Sequence, residues 1–241
     1  MRPIILSLIC LSCLLGCFPC HGQNAEKEKS PVKFSCLYWE GLPPEDLYYR
    51  EKKTFHQLTF KKASRSNHLH LKGMEFFELH RKVENPDPEK DTPPYQLLTK
   101  VKIPASKEVL FLVIPFKRES AVYYRVFTMD DSLKAFPRGA FRFANFYKKM
   151  LYVKCGDTVK KILPNQLTVV RSSNKPNGGF VPFLIADDKG KKIFGTRIFG
   201  QPAGRELIFI SPPEKKGGVP RVKFVSQLVA PPVPPDPNKN P

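Results

Sequence analysis

The chain has 241 residues, 41% of them hydrophobic, with 40 basic against 22 acidic side chains and a formal net charge of +18. This hydrophobic content, with 19 Phe and 8 Tyr, excludes a disordered protein and suffices for one large or two small domains. The positive charge predicts attraction to anionic surfaces. Because the basic residues are spread over nearly every segment, no dedicated nucleic-acid groove is expected.

Residues 1–22 predict a secretory signal peptide. A basic start that contains Arg2 precedes an apolar run from Ile4 to Leu15, which is too short to span a bilayer. Small residues favour cleavage before Gln23. Removing the leader takes one basic and no acidic residue, so the net charge falls from +18 to +17.

A lipid anchor is the alternative use of the same leader. Leu14-Leu15-Gly16-Cys17 resembles the lipobox of bacterial lipoproteins, in which Cys17 is lipidated. In either case residues 23–31 predict a polar tether. The expected location is therefore periplasmic, secreted or lipid-anchored in a bacterial envelope, with membrane contact only through an anchor at Cys17.

The rest of the chain predicts many short strands. Their residues are aromatic or β-branched, and turn signals rich in Pro, Gly, Asn and Asp separate them. Residues 43–50 could instead form one short helical turn. Residues 230–241 hold six prolines and predict a disordered, proline-rich tail. The strand segments are 32–39, 54–60, 67–72, 74–83, 95–103, 108–117, 121–129, 139–146, 149–155, 158–163, 166–172, 179–186, 191–199, 206–211 and 221–229.

A twelve-residue pattern occurs twice. Residues 104–115 read PASKEVLFLVIP, and residues 202–213 read PAGRELIFISPP. The offset of 98 is too long for a solenoid repeat and indicates a duplicated small domain. The sequence therefore predicts an all-β chain with two tandem, duplicated β-sandwich (Ig-like) modules, over residues 32–118 and 119–229.

Two cysteines lie outside the leader. Cys36 and Cys155 fall in predicted strands of different modules. In an oxidising compartment they could form one disulfide that ties the modules together, whereas buried free thiols are the alternative.

Four histidines of the first module form a candidate metal site. His68 and His70 have the i, i+2 spacing that places both rings on one face of a strand. A neighbouring strand could add His56 or His80, and three such ligands suit Zn²⁺ or Cu²⁺. A polar outward strand face explains the same residues without a metal.

Basic turns of the second module form a candidate anion site. If they are adjacent in space, they could hold sulfate, phosphate or carboxylate groups, and exposed aromatic side chains between them would allow stacking on sugars or bases. The residues are Lys189, Lys191, Lys192, Lys215, Lys216, Arg221 and Lys223.

No catalytic signature is recognised beyond the leader. The chain has no Gly-rich phosphate loop, no G-x-S-x-G elbow and no H-E-x-x-H motif. We therefore expect neither an enzyme nor a cofactor.

Residues 136–170 carry the elements F-P-x-G-x-x-R-x-x-N and V-x-x-G. This segment resembles the small β-sandwich segment of exported alginate-acetylation accessory proteins and related uncharacterised bacterial envelope proteins. The resemblance implies a non-enzymatic envelope β-sandwich and transfers no functional residue.

Three functions remain open on the sequence. The first is a non-catalytic exported or envelope-associated protein that acts by binding or scaffolding, with an envelope protein or anionic polymer as partner. The second is a binder of anionic polymer, such as an acidic polysaccharide, through a basic surface. The third is a metal-binding protein that uses the histidines of the first module.

Overall fold

The computed structural model describes residues 30–39, 41–62, 64–84, 93–171, 179–200, 202–215 and 217–229. The predicted leader and proline-rich tail, Cys17, Lys216 and most of the tether lie outside these ranges. Every regular element within them is a β-strand, and none is a helix of the length and apolarity that crossing a membrane requires.

Sixteen strands form two units that repeat one topology. Each unit has eight strands in two four-stranded sheets, ordered 4-1-7-8 and 3-2-5-6 when strands are counted within the unit. The prediction of an all-β chain with two tandem, duplicated β-sandwich modules is confirmed. The first unit contains β1 (Val32–Tyr38), β2 (Leu47–Glu51), β3 (Thr54–Gln57), β4 (Leu69–Leu71), β5 (Phe76–Lys82), β6 (Tyr95–Lys102), β7 (Glu108–Arg118) and β8 (Ala121–Asp130). The second contains β9 (Ala140–Asn145), β10 (Leu151–Cys155), β11 (Thr158–Ile162), β12 (Leu167–Arg171), β13 (Gly179–Ala186), β14 (Lys192–Gly200), β15 (Gly204–Ser211) and β16 (Arg221–Leu228).

Two of the four sheets face each other between the modules. We call β4-β1-β7-β8 the first boundary sheet and β12-β9-β15-β16 the second boundary sheet. The sheet β3-β2-β5-β6 is then the first outer sheet, and β11-β10-β13-β14 is the second outer sheet. In each boundary sheet the first and seventh strands of the module pair in parallel, and the remaining pairs are antiparallel.

Three hydrophobic cores separate these four sheets. One core fills each module, and a third lies between the two boundary sheets. The central strands of the boundary sheets, β1, β7, β9 and β15, are therefore buried on both faces over most of their length. This explains the continuous apolar runs of β7 and β15. The third core consists of Leu37, Trp39, Leu110, Leu112, Met129, Phe136, Ala140, Ala144, Leu207, Phe209 and Val225.

The twelve-residue repeat occupies equivalent strands but faces in opposite directions. Phe111 of β7 points into the first module's core, whereas Phe209 of β15, its counterpart in the pattern, points into the core between the modules. A shift of one residue along a strand turns every side chain to the other face. Because both faces of these strands are buried, the same apolar pattern fits either orientation.

The boundary between the modules lies at a different position from the predicted one. The predicted boundary between residues 118 and 119 falls inside the hairpin of β7 and β8, which pair from Arg118 with Ala121 to Val109 with Asp130. The antiparallel ladder makes β8 the edge strand of the first boundary sheet. The first module therefore ends at Asp130.

The helical turn that the sequence allowed at residues 43–50 does not form. Residues 47–51 form β2, in which Leu47 and Tyr49 face the first core while Tyr48 and Arg50 alternate with them. This period of two outweighs the local turn signal because the strand completes the first outer sheet between β3 and β5.

Candidate anion-binding site

Three loops at one end of the second module surround an open cavity of about 530 Å³, which we call the basic cavity. They follow β9, join β13 to β14, and join β15 to β16. Among the described residues that line it, Asp187 is the one acid and five lysines are basic. The lysines are Lys148, Lys149, Lys191, Lys192 and Lys215, all with exposed side chains.

A buried asparagine fixes the loop that carries Lys148 and Lys149. Asn145 Nδ2 donates to the backbone oxygens of Lys149 and Ile162, at 2.9 and 3.3 Å. Its Oδ1 accepts the backbone N–H of Tyr147 at 3.0 Å. Asn145 is fully buried, and its three bonds fix the backbone of the loop that places the two lysines in the cavity lining.

The carboxylate of Asp187 belongs to the turn between β13 and β14. Its Oδ1 accepts the backbone N–H groups of Lys189 and Lys191, at 3.0 and 2.8 Å. This bonding is typical of an Asp that builds a tight turn. One carboxylate against five lysines leaves the basic cavity with a positive field.

The structure brings together three of the predicted anion-binding residues. Lys191, Lys192 and Lys215 line the basic cavity, and Lys189 lies on the same hairpin turn outside its lining. Lys148 and Lys149 complete the set and were missed. Their signal was the pair of adjacent lysines directly after a buried strand, at a loop end of the sandwich.

Two other predicted residues have different roles. Arg221 pairs with Glu214 at 3.2 Å and donates from Nε to the backbone oxygen of Pro212. Lys223 donates from Nζ to the backbone oxygen of Trp39 and lies 5.3 Å from the centre of its ring. Lys223 thus stabilises the boundary between the modules, and Lys216 lies outside the described residues.

Positive charge continues from the cavity onto the second outer sheet. Lys192 also lines a shallow depression on that sheet, together with Lys154 of β10 and Arg197 of β14. Gly195 lies beneath the Lys192 side chain, where an added Cβ would approach its Cε to 2.5 Å. We call the basic cavity and this depression together the basic surface.

The predicted metal site is not assembled. His70 lies on β4 of the first boundary sheet and His68 just before it, whereas His56 and His80 lie on the first outer sheet. His56 pairs with Tyr49, which faces the core, while His80 pairs with the next residue, Tyr48, and so lies on the opposite face. Within the described ranges no three His, Cys, Asp or Glu residues could hold a metal ion.

The predicted disulfide is also absent, since both Cys36 and Cys155 are free and buried. Each thiol points into the core of its own module. Two boundary sheets and the third core lie between them, because alternation along β1 and β10 aims each side chain inward.

A second charged cluster lies buried where the first module meets the second. Arg65, Arg142 and Arg205 converge on the carboxylate of Asp131, and all four residues are buried. Phe136 packs against two of the guanidinium groups, at 4.3 Å from Arg142 and 4.9 Å from Arg205. Burial lowers the pKa of Arg142 to about 10, and the charges of the other two arginines act in the same direction.

No known protein-family model matches this chain, and no curated protein matches it either. The resemblance of residues 136–170 to envelope proteins therefore stays a prediction.

Proposed function

We propose that this chain is a non-catalytic, exported protein that binds an anionic polymer through the basic surface of its second module. The position of Lys192 carries the proposal, because this residue joins the basic cavity to the depression on the second outer sheet. Positive charge that extends from the basic cavity to the depression favours an extended anionic polymer over a single small anion. Export, expected from the leader, would bring the protein to the acidic polymers of an envelope.

The type of cation supports a polymer as the ligand. The basic surface holds six lysines and one arginine, all exposed. Lysine presents a mobile point charge rather than a rigid fork, so it tolerates anionic groups at variable spacing. Each contact contributes little alone, and the contacts add along the chain.

Salt-dependent binding to immobilised heparin tests the proposal, with the protein beginning at Gln23. A variant with Lys191→Ser, Lys192→Ser and Lys215→Ser is expected to bind at least about tenfold more weakly at low salt and with a smaller salt dependence. The control changes Lys53, Lys62 and Lys72 of the first module to Ser, which removes the same charge from exposed positions. Elution of the unaltered protein at low salt, or equal losses in both variants, would contradict the proposal.

A further inference from the structure

We infer that the polymer is an acidic polysaccharide whose sugar rings lie on the outward face of the second outer sheet. This inference rests on the proposed function, and it names the contacts that select one class of polyanion.

Aromatic side chains are exposed on this outward face. Val153, Cys155 and Phe183 point into the second core, so the residues that alternate with them point outward. Phe180 is 62% exposed, Phe199 is 51% exposed, and Tyr152 is 36% exposed. Phe180 and Phe199 lie opposite each other on β13 and β14, with ring centres 5.5 Å apart.

Cations occupy the sheet between these aromatic groups. Along the two ladders, Arg197 lies opposite Pro182, and Lys154 lies opposite Leu184. Tyr152 follows opposite Ala186, which is six residues from Phe180 and therefore about 20 Å along the strand. Aromatic rings thus mark both ends of a row whose middle is positively charged.

The outward positions of the second outer sheet carry no acidic side chain within the described residues. On β11 they are Val159 and Lys161, which lie opposite Lys154 and Tyr152. On β14 they are Lys192, Gly195, Arg197 and Phe199. The cations of this face are therefore not neutralised by acidic neighbours on the face itself.

On the equivalent face of the first module, aromatic rings stack on each other and cations pair with an acidic side chain of the same face. On the first outer sheet Phe55 stacks on Tyr95 with ring centres 4.0 Å apart, so these rings cover each other. Glu78 accepts Lys100 at 3.0 Å and Arg50 at 3.5 Å, which neutralises the cations there. The two modules share one topology, but among the described residues the outward face of the second outer sheet has cations between exposed rings and no acidic side chain on the face itself.

An acidic polysaccharide complements both features. The C–H groups of a sugar ring carry partial positive charge and pack against the negative face of an aromatic ring. Carboxylate or sulfate groups on neighbouring sugars would meet Arg197, Lys154 and Lys192. The expected leader directs the chain away from nucleic acids.

The test compares ring-containing and ring-free polyanions on one variant. We expect Phe180→Ser with Phe199→Ser to lower the affinity for polygalacturonate at least about tenfold. Affinity for inorganic polyphosphate, which has charge but no rings, should change less than about twofold because the cations remain. Isothermal titration calorimetry on the chain beginning at Gln23 measures both.

The matched control is Phe116→Ser with Tyr123→Ser, an exposed stacked aromatic pair on the first module. It should leave both affinities unchanged. If the Phe180/Phe199 variant bound polygalacturonate as tightly as the unaltered protein does, the inference would be overturned, whereas the proposed binding of polyanions would stand. Tighter binding of single-stranded DNA or of anionic lipid vesicles than of polygalacturonate would overturn it as well. Absence of binding to every polyanion would instead overturn the proposed function.

Discussion

Arg205 of the second module donates a hydrogen bond from Nη2 to Oδ2 of Asp131 over 3.2 Å, and Asp131 is the first residue of the connection that follows the first module. Each side chain is only 3% exposed. Nη1 of the same guanidinium donates to the backbone oxygens of Asp131 and Phe136, at 2.8 and 3.0 Å. One arginine therefore binds both the carboxylate and the main chain of the connection between the modules.

Replacing the shared carboxylate should be strongly destabilising. Asp131→Asn keeps the size of the side chain but leaves three buried guanidinium groups without their counter-charge. We expect the free energy of unfolding to fall by about 3–5 kcal/mol, measured by urea denaturation. Glu214→Gln, which breaks the exposed pair with Arg221, is the control and should cost less than about 1 kcal/mol. Equal losses would contradict this account of the cluster.

Removing one of the three arginines should change the free energy of unfolding little or should raise it. Arg142 Nη1 lies 4.0 Å from Asp131 Oδ1, the longest of the three arginine–carboxylate separations. Burial of Arg142 disfavours its charged form and lowers its pKa. Arg142→Met keeps an unbranched side chain against Phe136 and leaves two arginines for one carboxylate. We expect the free energy of unfolding to stay within about 1 kcal/mol or to rise. A loss as large as that of Asp131→Asn would show that all three cations are needed.

Module docking can be followed through the chain's single tryptophan. Trp39 lies in the core between the modules, with its ring centre 5.0 Å from that of Phe209. Because the modules share this core, Trp39 fluorescence and far-ultraviolet circular dichroism should change together during urea unfolding. A fluorescence change at lower urea than the loss of strand signal would mean that the modules separate before they unfold.

The fold was largely predictable from the sequence, and the errors have physical causes. Alternating or continuously apolar runs bounded by turn signals located fifteen of the sixteen strands, because half-buried strands alternate and strands buried on both faces are apolar throughout. The sequence did not predict which core Phe111 and Phe209 face, because a strand buried on both faces has no alternation of polar and apolar residues that would indicate its orientation. The module boundary was misplaced because β8 completes a sheet through pairing with β7, which local pattern does not reveal.

Acidification should destabilise the first module through His80. Burial lowers the pKa of this imidazole below 6.5, although the bond to Glu78 at 3.4 Å opposes the shift. As the pH falls, the imidazole binds a proton more readily in the unfolded chain than in the folded protein. The free energy of unfolding that is present above pH 6.5 therefore decreases as the pH falls below that value. His68 is exposed, but partial desolvation and the charge of Lys33 lower its pKa as well, which acts weakly in the same direction.

Urea unfolding at pH 7.5 and at pH 5.5 measures this effect. The unaltered protein should lose stability on the order of 1 kcal/mol across this interval. His80→Gln should reduce the loss, whereas His70→Gln, an exposed position on β4, should leave it unchanged. An identical pH dependence in the His80 variant would assign the effect elsewhere.

The two buried thiols should be unreactive in the folded protein. Burial raises the pKa of Cys155 to about 12 and that of Cys36 further, so neither forms the nucleophilic thiolate at neutral pH. In the chain beginning at Gln23, Ellman's reagent should label none of these thiols in buffer and two in denaturant. Failure to label in denaturant without reductant would reveal a disulfide.

The basic surface was only partly predictable. Turn signals in the sequence locate Lys191, Lys192 and Lys215, but their proximity depends on how the loop between β13 and β14 and the loop between β15 and β16 come together at one end of the sandwich. The role of Lys223 was hidden because its partner Trp39 lies 184 residues away in the chain. Exposure of Phe180 and Phe199 was likewise invisible, since outward and inward phenylalanines read alike on neighbouring strands.

The core between the boundary sheets has a consequence for how this protein can be divided. The first, seventh and eighth strands of each module provide its side of that core, so both modules present the same kind of apolar face. Either module alone would expose this face to water and would favour association with a second copy of itself. The two modules therefore resemble the subunits of a homodimer that are joined by one continuous backbone. Cutting the connection would make the contact between the boundary sheets intermolecular, so its formation would depend on protein concentration.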